Sequence, residues 1–478
     1  MKIFMKQYYL IFLFLFTLIA CQKNVTSVEE DYAYFGGEII NPNSNFVVLS
    51  KSEKAIDTIY LDDKNRFLYK IEDLTTGFYS FFHGGEYQIV LLEPRDSIMF
   101  RLNTMDFDES LVFTGQGAKK NNYLINMFID SEAEYENVLK FSQLSPLEFE
   151  EKLHSLRDEK LEKLEKFYAK NGTSQVFYKV ALDNINYNYY ASKEIYPFAY
   201  YGHNELKNLE SLPEHFYDYR KNIDYNDTLI KDYYPYNAFL RYHFDNLALA
   251  EHFKHSDDKY FKRNSLCYNL DKIKLIDSLT TDVDIKNRLL FHYAIRYVNS
   301  SENVESCDKI LKEFLSRSTS ETNNEHLAHL TKSLKKLKPG YEFPDIKLID
   351  FNNSEFATST IFKGKPTVVY FWTYAWKGHF IESHNKVNEL KEKYPEMNFV
   401  GININVDETK NWKNALKQYN FPFENEYQFA NPEDAKEAMA LNSINKVMVV
   451  DSKGKIAISN GNMFNLNFEE QLLGLINK

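Results

Sequence analysis

The sequence has 478 residues, of which 44% are hydrophobic and 26% are charged, and its formal net charge is −11. The length predicts more than one domain, and the balance of apolar and charged residues excludes a disordered or collagen-like chain. Nucleic acid is not an expected partner, because affinity for the phosphate backbone depends mainly on clustered lysine and arginine side chains. The sequence contains no basic run of that kind.

Residues 1–20 have the pattern of an export signal. Two lysines in the first six residues precede an apolar run at residues 8–19, which is too short for a transmembrane helix of about twenty residues. The run ends in Leu-Ile-Ala-Cys, which resembles the lipobox of bacterial lipoproteins. This resemblance implies a membrane anchor of several acyl chains on Cys21. Gln22 in place of aspartate implies sorting to the outer membrane, facing the periplasm.

Short runs of alternating apolar and polar residues occupy residues 34–116, after a predicted linker at 21–33. Turn-forming pairs such as Asn-Pro and Gly-Gly separate these runs, so each is predicted to be a strand. Antiparallel strands at this spacing predict a β-sandwich-like domain. The seven predicted strands are FVVLS, TIYLDD, FLYKI, YSFFH, YQIVLLE, SIMFRLN and LVFTG.

Two segments near the end of this region, LLEPRDSIMFRL and FTGQGAKKNNYL, carry a family resemblance. They resemble the small N-terminal β-domain of many thioredoxin-like lipoproteins of the Bacteroidetes. The usual Pro-Gly-Asp-Ser turn of that domain reads Pro-Arg-Asp-Ser at residues 94–97, so Arg95 stands in place of glycine.

From residue 117 to 338 the apolar residues recur at intervals of three and four, which predicts an all-α region. Opposite charges four residues apart support the helix at residues 147–170. The tyrosine-rich stretches NYNYYASKEIYPFAYYG and DYYPYNAFLRYHF either line a groove for a glycan or peptide or fill the spaces between helices. Other predicted helices are YPYNAFLRYHFDNLALAEHF, IKNRLLFHYAIRYV, CDKILKEFLSR and NEHLAHLTKSLKKL.

The helical region also contains the two cysteines that remain besides Cys21. Cys267 and Cys307 either form a structural disulfide, as an oxidising periplasm allows, or stay unpaired and buried separately. His252 and His255 are three residues apart, which is too weak a pattern to predict a metal site. We expect neither a metal nor a cofactor.

Residues 339–478 contain several motifs in a fixed order. They are the lead-in PGYEFPDIKLIDFNN, the apolar strand GKPTVVYFW, a helix at 382–394 with Glu382 at its start, the strand NFVGININVD, a helix at 412–419, the hairpin KVMVVDSKGKIAI and the helix FEEQLLGLIN. This order resembles the thioredoxin-like domain of TlpA/ResA-type thiol-disulfide oxidoreductases. The resemblance implies an α/β thioredoxin-like fold.

The residues that carry the chemistry of that family are replaced. The family motif Trp-Cys-x-x-Cys corresponds here to Ala375, Trp376, Lys377, Gly378 and His379, so that Trp376 and His379 stand at the cysteine positions. In the family, the first thiol lies at a helix N-terminus that lowers its pKa.

The family also has a cis-proline opposite its cysteines, and Asn445 corresponds to it. A cis bond before a residue other than proline costs about 3–4 kcal/mol, so we expect a trans bond and a reshaped loop. His379 is a weak candidate for a base or metal ligand, because no partner residue can be named for it.

These features favour a cell-envelope lipoprotein with a redox-inactive thioredoxin-like domain that acts as a binding or scaffolding module, without catalytic residues. Two alternatives stay open: a thiol-disulfide oxidoreductase, as the family resemblance implies, and a periplasmic glycan- or peptide-binding protein. The expected partners are the membrane, through Cys21, and an envelope protein, peptide or glycan.

Overall fold

A computed structural model describes residues 31–476, apart from 53, 201–211, 257–260, 302, 363 and 406–410. The export signal and Cys21 lie outside the described residues. The described chain divides into two compact units, one made of residues 31–83 and 87–127 and the other of residues 84–86 and 128–476. Within these ranges no helix combines the length and the apolar character needed to cross a membrane.

The first unit contains two four-stranded sheets, with strand orders β4-β1-β7-β8 and β3-β2-β5-β6. Phe35 of one sheet lies 5.4 Å from Phe81 of the other, measured between ring centroids, and Phe81 stacks on Phe100 at 4.8 Å. Facing sheets with a shared aromatic core confirm the predicted sandwich. The strands are β1 (Ala33–Ile40), β2 (Phe46–Lys51), β3 (Lys54–Tyr60), β4 (Arg66–Ile71), β5 (Gly77–His83), β6 (Glu86–Leu92), β7 (Ser97–Asn103) and β8 (Val112–Gln116).

Strand β1 was not among the predicted strands, and it pairs in parallel with β7, so the strands of the sandwich are not antiparallel throughout. Its two glycines interrupt the alternation of apolar and polar residues. They are required by packing, because a Cβ on Gly36 would lie 2.6 Å from the carbonyl oxygen of Phe67. A Cβ on Gly37 would lie 2.8 Å from the carbonyl oxygen of Phe100.

The turn at residues 94–97 has an arginine where the resemblance implies a glycine. Arg95 has a φ of 70°, in the left-handed region that glycine adopts at little cost. The next residue, Asp96, is buried and accepts hydrogen bonds from the backbone N–H of Glu93 at 2.8 Å and from Lys120 Nζ at 2.6 Å. This buried ion pair fixes the turn and stabilises the left-handed conformation at residue 95.

The central region is helical, as predicted. At the start of the helix Pro146–Asn171, the Glu148 carboxylate accepts hydrogen bonds from the backbone N–H and the hydroxyl of Ser145, which satisfies the N–H of this N-cap residue. The predicted spacing of opposite charges gives ion pairs such as Lys163–Glu159, at 2.7 Å. The helices are α1 (Ala118–Phe141), α2 (Pro146–Asn171), α3 (Gln175–Tyr200), α4 (Tyr234–His255), α5 (Leu266–Leu279), α6 (Val283–Ser300), α7 (Val304–Leu315) and α8 (Glu321–Lys336).

A buried carboxylate joins α3 to α4. Glu194 accepts hydrogen bonds from Arg220, from Tyr219 Oη at 2.8 Å and from His243 Nδ1 at 2.6 Å. The Arg220 guanidinium, together with the contact from His243, holds the pKa of Glu194 below its ordinary value in spite of complete burial. The fully paired charge explains why a polar cluster is tolerated in the core of the bundle.

The two cysteines of this region do not form a disulfide. Cys307 is buried on α7, and Cys267 is half-buried on α5. The alternative of a structural disulfide between them is therefore wrong. The expectation that both are buried is right for Cys307 only.

The C-terminal region forms a seven-stranded sheet with the order β10-β9-β13-β12-β11-β14-β15. Strand β11, which lies inside the sheet, is buried at every position, pairs in parallel with β12 and is antiparallel to β14. This architecture confirms the α/β thioredoxin-like prediction. The elements are β9 (Lys347–Asp350), β10 (Glu355–Ala357), α9 (Thr358–Ile361), β11 (Thr367–Trp372), α10 (Lys377–Lys393), β12 (Asn398–Asn403), α11 (Asn411–Gln418), β13 (Glu426–Phe429), α12 (Pro432–Ala438), β14 (Val447–Val450), β15 (Ile456–Gly461) and α13 (Phe468–Ile476).

Candidate functional site

The replaced motif lies between the end of β11 and the start of α10. The chain turns after the buried Trp372, and the backbone N–H of Trp376 donates to the carbonyl oxygen of Thr373 at 3.3 Å. Helix α10 begins at Lys377, five residues before the predicted start, so Trp376 is its N-cap residue. The indole is 53% exposed. The structure thus presents an aromatic side chain at a helix N-terminus, where the resemblance implied the first thiol.

His379 and Asn445 are brought together although 66 positions separate them in the sequence. Their side chains are hydrogen-bonded, and His379 Nε2 also lies 3.2 Å from Ser383 Oγ. Burial lowers the pKa of His379, while Glu382 and the Asn445 hydrogen bond act in the opposite direction. A histidine with a lowered pKa is neutral at pH 7, so this site presents an uncharged imidazole.

The other named positions of the motif point to solvent. Lys377 is exposed and bonds to the hydroxyl of Tyr419, which raises the pKa of the lysine. Gly378 is exposed on the first turn, and a Cβ there would meet nothing within 4 Å. Glu382 is exposed as well. None of these three residues is held in a buried network.

The loop that precedes β14 differs from a cis-proline loop. Asn445 is exposed and follows a trans peptide bond, as predicted. The neighbouring Lys446 is 4% exposed, and its Nζ donates to the carbonyl oxygens of Met439 at 2.8 Å and Ala440 at 3.2 Å. Burial lowers the pKa of Lys446 to about 8. The buried ammonium group of Lys446 therefore ties the loop before β14 to the carbonyl oxygens of Met439 and Ala440.

A second buried carboxylate lies beneath the motif. Glu426 on β13 accepts hydrogen bonds from Tyr370 Oη and from Trp372 Nε1, the latter at 2.9 Å. His384 of α10 places its Nε2 3.6 Å from the same carboxylate, and its Nδ1 bonds to the Phe380 carbonyl oxygen at 2.7 Å. Glu426 thus links β13, β11 and α10 through polar contacts in the core.

The side chains at the start of α10 determine which chemistry this site can support. The segment from residue 339 to 478 contains no cysteine, so no thiol stands at the N-terminus of α10. Among the described residues, His379 does not belong to a group of three or more metal-ligating side chains. What remains is a surface with an exposed indole, a neutral imidazole and amide groups, which is suited to binding.

A cavity of about 430 Å³ lies in the helical region, between the later part of α1 and helices α2, α3 and α4. Both tyrosine-rich stretches contribute to its lining, through residues such as Tyr189 and Tyr234. Arg157 lies over the ring of Tyr189 at 5.3 Å and bonds to Asn186 Oδ1 through both Nε and Nη2. The volume is within the range of small-molecule sites.

Comparisons with known proteins agree with the C-terminal fold. The family model described as Redoxin matches residues 338–464, so the chain carries a Redoxin domain at its C-terminus. No curated protein matches the chain.

Several solved structures are similar to the C-terminal part of the chain. One, from Bacteroides vulgatus and provisionally named a thiol-disulfide oxidoreductase, is 21% identical over 29% of this chain and 98% of its own, with a TM-score of 0.27. A C-terminal domain from Bacteroides thetaiotaomicron with the same provisional name is 21% identical over 30% and 98%, with a TM-score of 0.25. The exposed lipoprotein thioredoxin of Streptococcus pneumoniae is 16% identical over 28% and 100%, with a TM-score of 0.23.

Sequence reasoning missed Glu426, Lys446 and the bond between His379 and Asn445. Strand β13 and helix α12 were not predicted, because each is short and β13 begins with a charged residue. The sequence offered one signal for Lys446: it directly precedes the apolar run VMVV, and a residue next to a buried strand is itself a candidate for burial.

Proposed function

We propose that this chain is a lipoprotein of the outer membrane, facing the periplasm, whose thioredoxin-like domain binds a partner protein without exchanging disulfides. The observation that carries the proposal is the composition of the site at the start of α10. Its two cysteine-equivalent positions hold an exposed Trp376 and a His379 bonded to Asn445. Disulfide exchange requires attack by a thiolate on sulfur, and this site has no sulfur to supply.

The remaining thiols do not substitute for the lost ones. Cys307 is buried, and burial raises the pKa of its thiol, which disfavours the nucleophilic thiolate. Cys267 lies on α5, in the helical region, within reach of histidine and aspartate side chains. The two are not joined to each other, so no reducible pair is available among the described residues.

The surface around Trp376 supports protein binding. Phe464 is 40% exposed and its ring centroid lies 6.2 Å from that of His379. Large, partly exposed aromatic side chains beside polar groups are typical of the residues that dominate protein interfaces. The expected partner is an envelope protein that presents an apolar side chain to this surface.

The decisive experiment measures reductase activity of the tag-free mature protein. It should not accelerate the reduction of a protein disulfide by dithiothreitol, and Cys267→Ser and Cys307→Ser variants should give the same background rate. Activity that depends on either cysteine would contradict the proposal.

Binding is tested by placing a photo-crosslinking residue at position 376 and, as a matched control, at Tyr341, an exposed aromatic of the same domain. A crosslink specific to position 376 is expected, and equal labelling at both positions would refute the binding surface.

The anchor has its own test. Acylation requires the thiol of Cys21, so a Cys21→Ser variant should move from the membrane to the soluble envelope fraction. If the variant stays in the membrane as fully as the wild type, the lipoprotein assignment is wrong.

The helical cavity supports a second candidate function, binding of a glycan or peptide. Tyr135 lines the cavity and is 50% exposed, so its ring is available for stacking on a ligand. Calorimetric titration with envelope oligosaccharides and peptides should reveal a ligand whose affinity falls in Tyr135→Ala and is unchanged in Tyr341→Ala. Equal affinities in both variants would exclude this cavity as the site.

A further inference from the structure

Four side chains at the junction of α4 and α5 have the character of a metal centre. His252 and His255 occupy the last turn of α4, three positions apart, and Cys267 and Asp271 occupy the start of α5, four positions apart. Residues three or four apart lie on the same face of a helix, so each helix presents two donors to the other. We propose that these four residues bind a zinc ion, at a site separate from the replaced thioredoxin motif.

The distances support this proposal. One ligand atom from each residue can be chosen so that all four lie within 4.8 Å of one another. Asp271 Oδ2 lies 2.9 Å from His255 Nε2 and 3.8 Å from Cys267 Sγ. Zinc bonds of about 2.0–2.3 Å in a tetrahedron place neighbouring ligand atoms roughly 3.3–3.7 Å apart. Small side-chain rotations therefore convert the present contacts into a coordination sphere.

The donor types select the metal. Two imidazoles, one thiolate and one carboxylate form a four-coordinate set that suits zinc, since all three donor types are ordinary zinc ligands. Calcium and magnesium prefer all-oxygen sites, which this cluster does not offer. The thiolate and the carboxylate together carry two negative charges when both histidines are neutral, so a divalent ion leaves the site without net charge.

The burial of the four residues suits a structural ion with an entry path. His252 is 1% exposed and Asp271 is 7% exposed, so half of the donor set is already shielded from water. Cys267 is half-buried and His255 is exposed, which leaves one side open for the ion to enter. A bound ion would fasten the end of α4 to the start of α5.

The test uses the tag-free mature protein, freed of metal by a chelator, and titrates it with zinc and with cobalt(II). One equivalent of each metal should bind, and the cobalt complex should show a thiolate-to-metal charge-transfer band. The band should be absent in Cys267→Ser and retained in Cys307→Ser, the matched control for a buried thiol outside the cluster. Since the loss of a residue that only supports a ligand costs about 10–100-fold in metal affinity, loss of the ligand Cys267 should cost more than about 100-fold.

Two further measurements exclude trivial outcomes. Zinc should raise the melting temperature of the wild type and leave that of His255→Ala unchanged. Because His255 is exposed, this variant should stay folded without metal, which circular dichroism would verify. Zinc should also slow the alkylation of Cys267 and leave that of Cys307 unaffected. Absence of stoichiometric binding, or a charge-transfer band that persists in Cys267→Ser, would overturn the proposal.

Discussion

The buried Lys446 gives a prediction whose size follows from the structure. Its pKa is lowered from 10.5 to about 8 by burial. Below about pH 8 the side chain is charged in both the folded and the unfolded protein, and the folded protein carries the cost of the desolvated charge. Between about 8 and 10.5 the folded protein has already lost the proton that the unfolded protein still holds. The unfolded state then binds more protons, so stability rises with pH across this window.

The magnitude comes from the same two values. Each pKa unit corresponds to about 1.4 kcal/mol, so the interval between 10.5 and about 8 is worth about 3 kcal/mol of unfolding free energy. Lys446→Met removes this titration and leaves a side chain of similar length in place. The variant also leaves the carbonyl oxygens of Met439 and Ala440 without their donor, which shifts its stability by an amount that does not depend on pH.

The assay is urea unfolding of the wild type and of Lys446→Met at several pH values from about 7 to about 10.5. All three tryptophans, Trp372, Trp376 and Trp412, lie in the C-terminal region, so tryptophan fluorescence reports unfolding of the part that contains Lys446. The stability of the wild type relative to the variant should rise by about 3 kcal/mol across the range.

The matched control is Lys453→Met, which changes an exposed lysine of the same region. Its stability relative to the wild type should be constant over the same pH range. If the difference between wild type and Lys446→Met is also constant, the reasoning from burial to stability is refuted for this lysine.

Three other substitutions test separate features. Gly401→Ala should destabilise the C-terminal region by about 3 kcal/mol or more, because the new Cβ would lie 2.2 Å from Glu426 Oε2 and would disrupt the buried polar network. Its control is Gly474→Ala, where a Cβ meets nothing within 4 Å, and this variant should be neutral or slightly stabilising in the same urea assay. Arg95→Gly should raise the stability measured by calorimetry by up to about 1 kcal/mol, because glycine adopts the left-handed conformation without strain. Asn65→Gly should not raise the stability, since asparagine tolerates a positive φ, and a loss of stability in Arg95→Gly would contradict the strain argument. The double change Trp376→Cys, His379→Cys should give two cysteines that form a reducible disulfide, since residues three apart at a helix start have Cα atoms near the range of about 4.4–6.8 Å that a disulfide spans. A folded double variant that cannot be oxidised would argue against this placement of the motif.

The sequence predicts best those elements whose local pattern is strong. The apolar run at 367–372 and the turn at Asp451–Gly454 gave β11 and the hairpin of β14 and β15, because each is encoded by neighbouring residues. Strand β1 was missed because its two glycines are required by contacts with β4 and β7, which are distant in the sequence.

The side-chain clusters were harder to predict for the same reason. His252 and His255 are unremarkable until α5 brings Cys267 and Asp271 beside them. The pairing of His379 with Asn445 likewise depends on the arrangement of α10 and the loop before β14. Spacing along one element is visible in a sequence, whereas the juxtaposition of two elements is a property of the fold.

The carboxylate of Glu426 has a consequence for how this domain can change over time. Loss of Tyr370, Trp372 or His384 alone would leave a buried charge short of a partner, so each substitution is costly while the other residues remain. Trp376 and Lys377 are exposed and take no part in this buried network, so only the proposed partner constrains them. We therefore expect descendants of this chain to change at Trp376 and Lys377 only together with their partner, and to keep Glu426, Tyr370, Trp372 and His384 as one block.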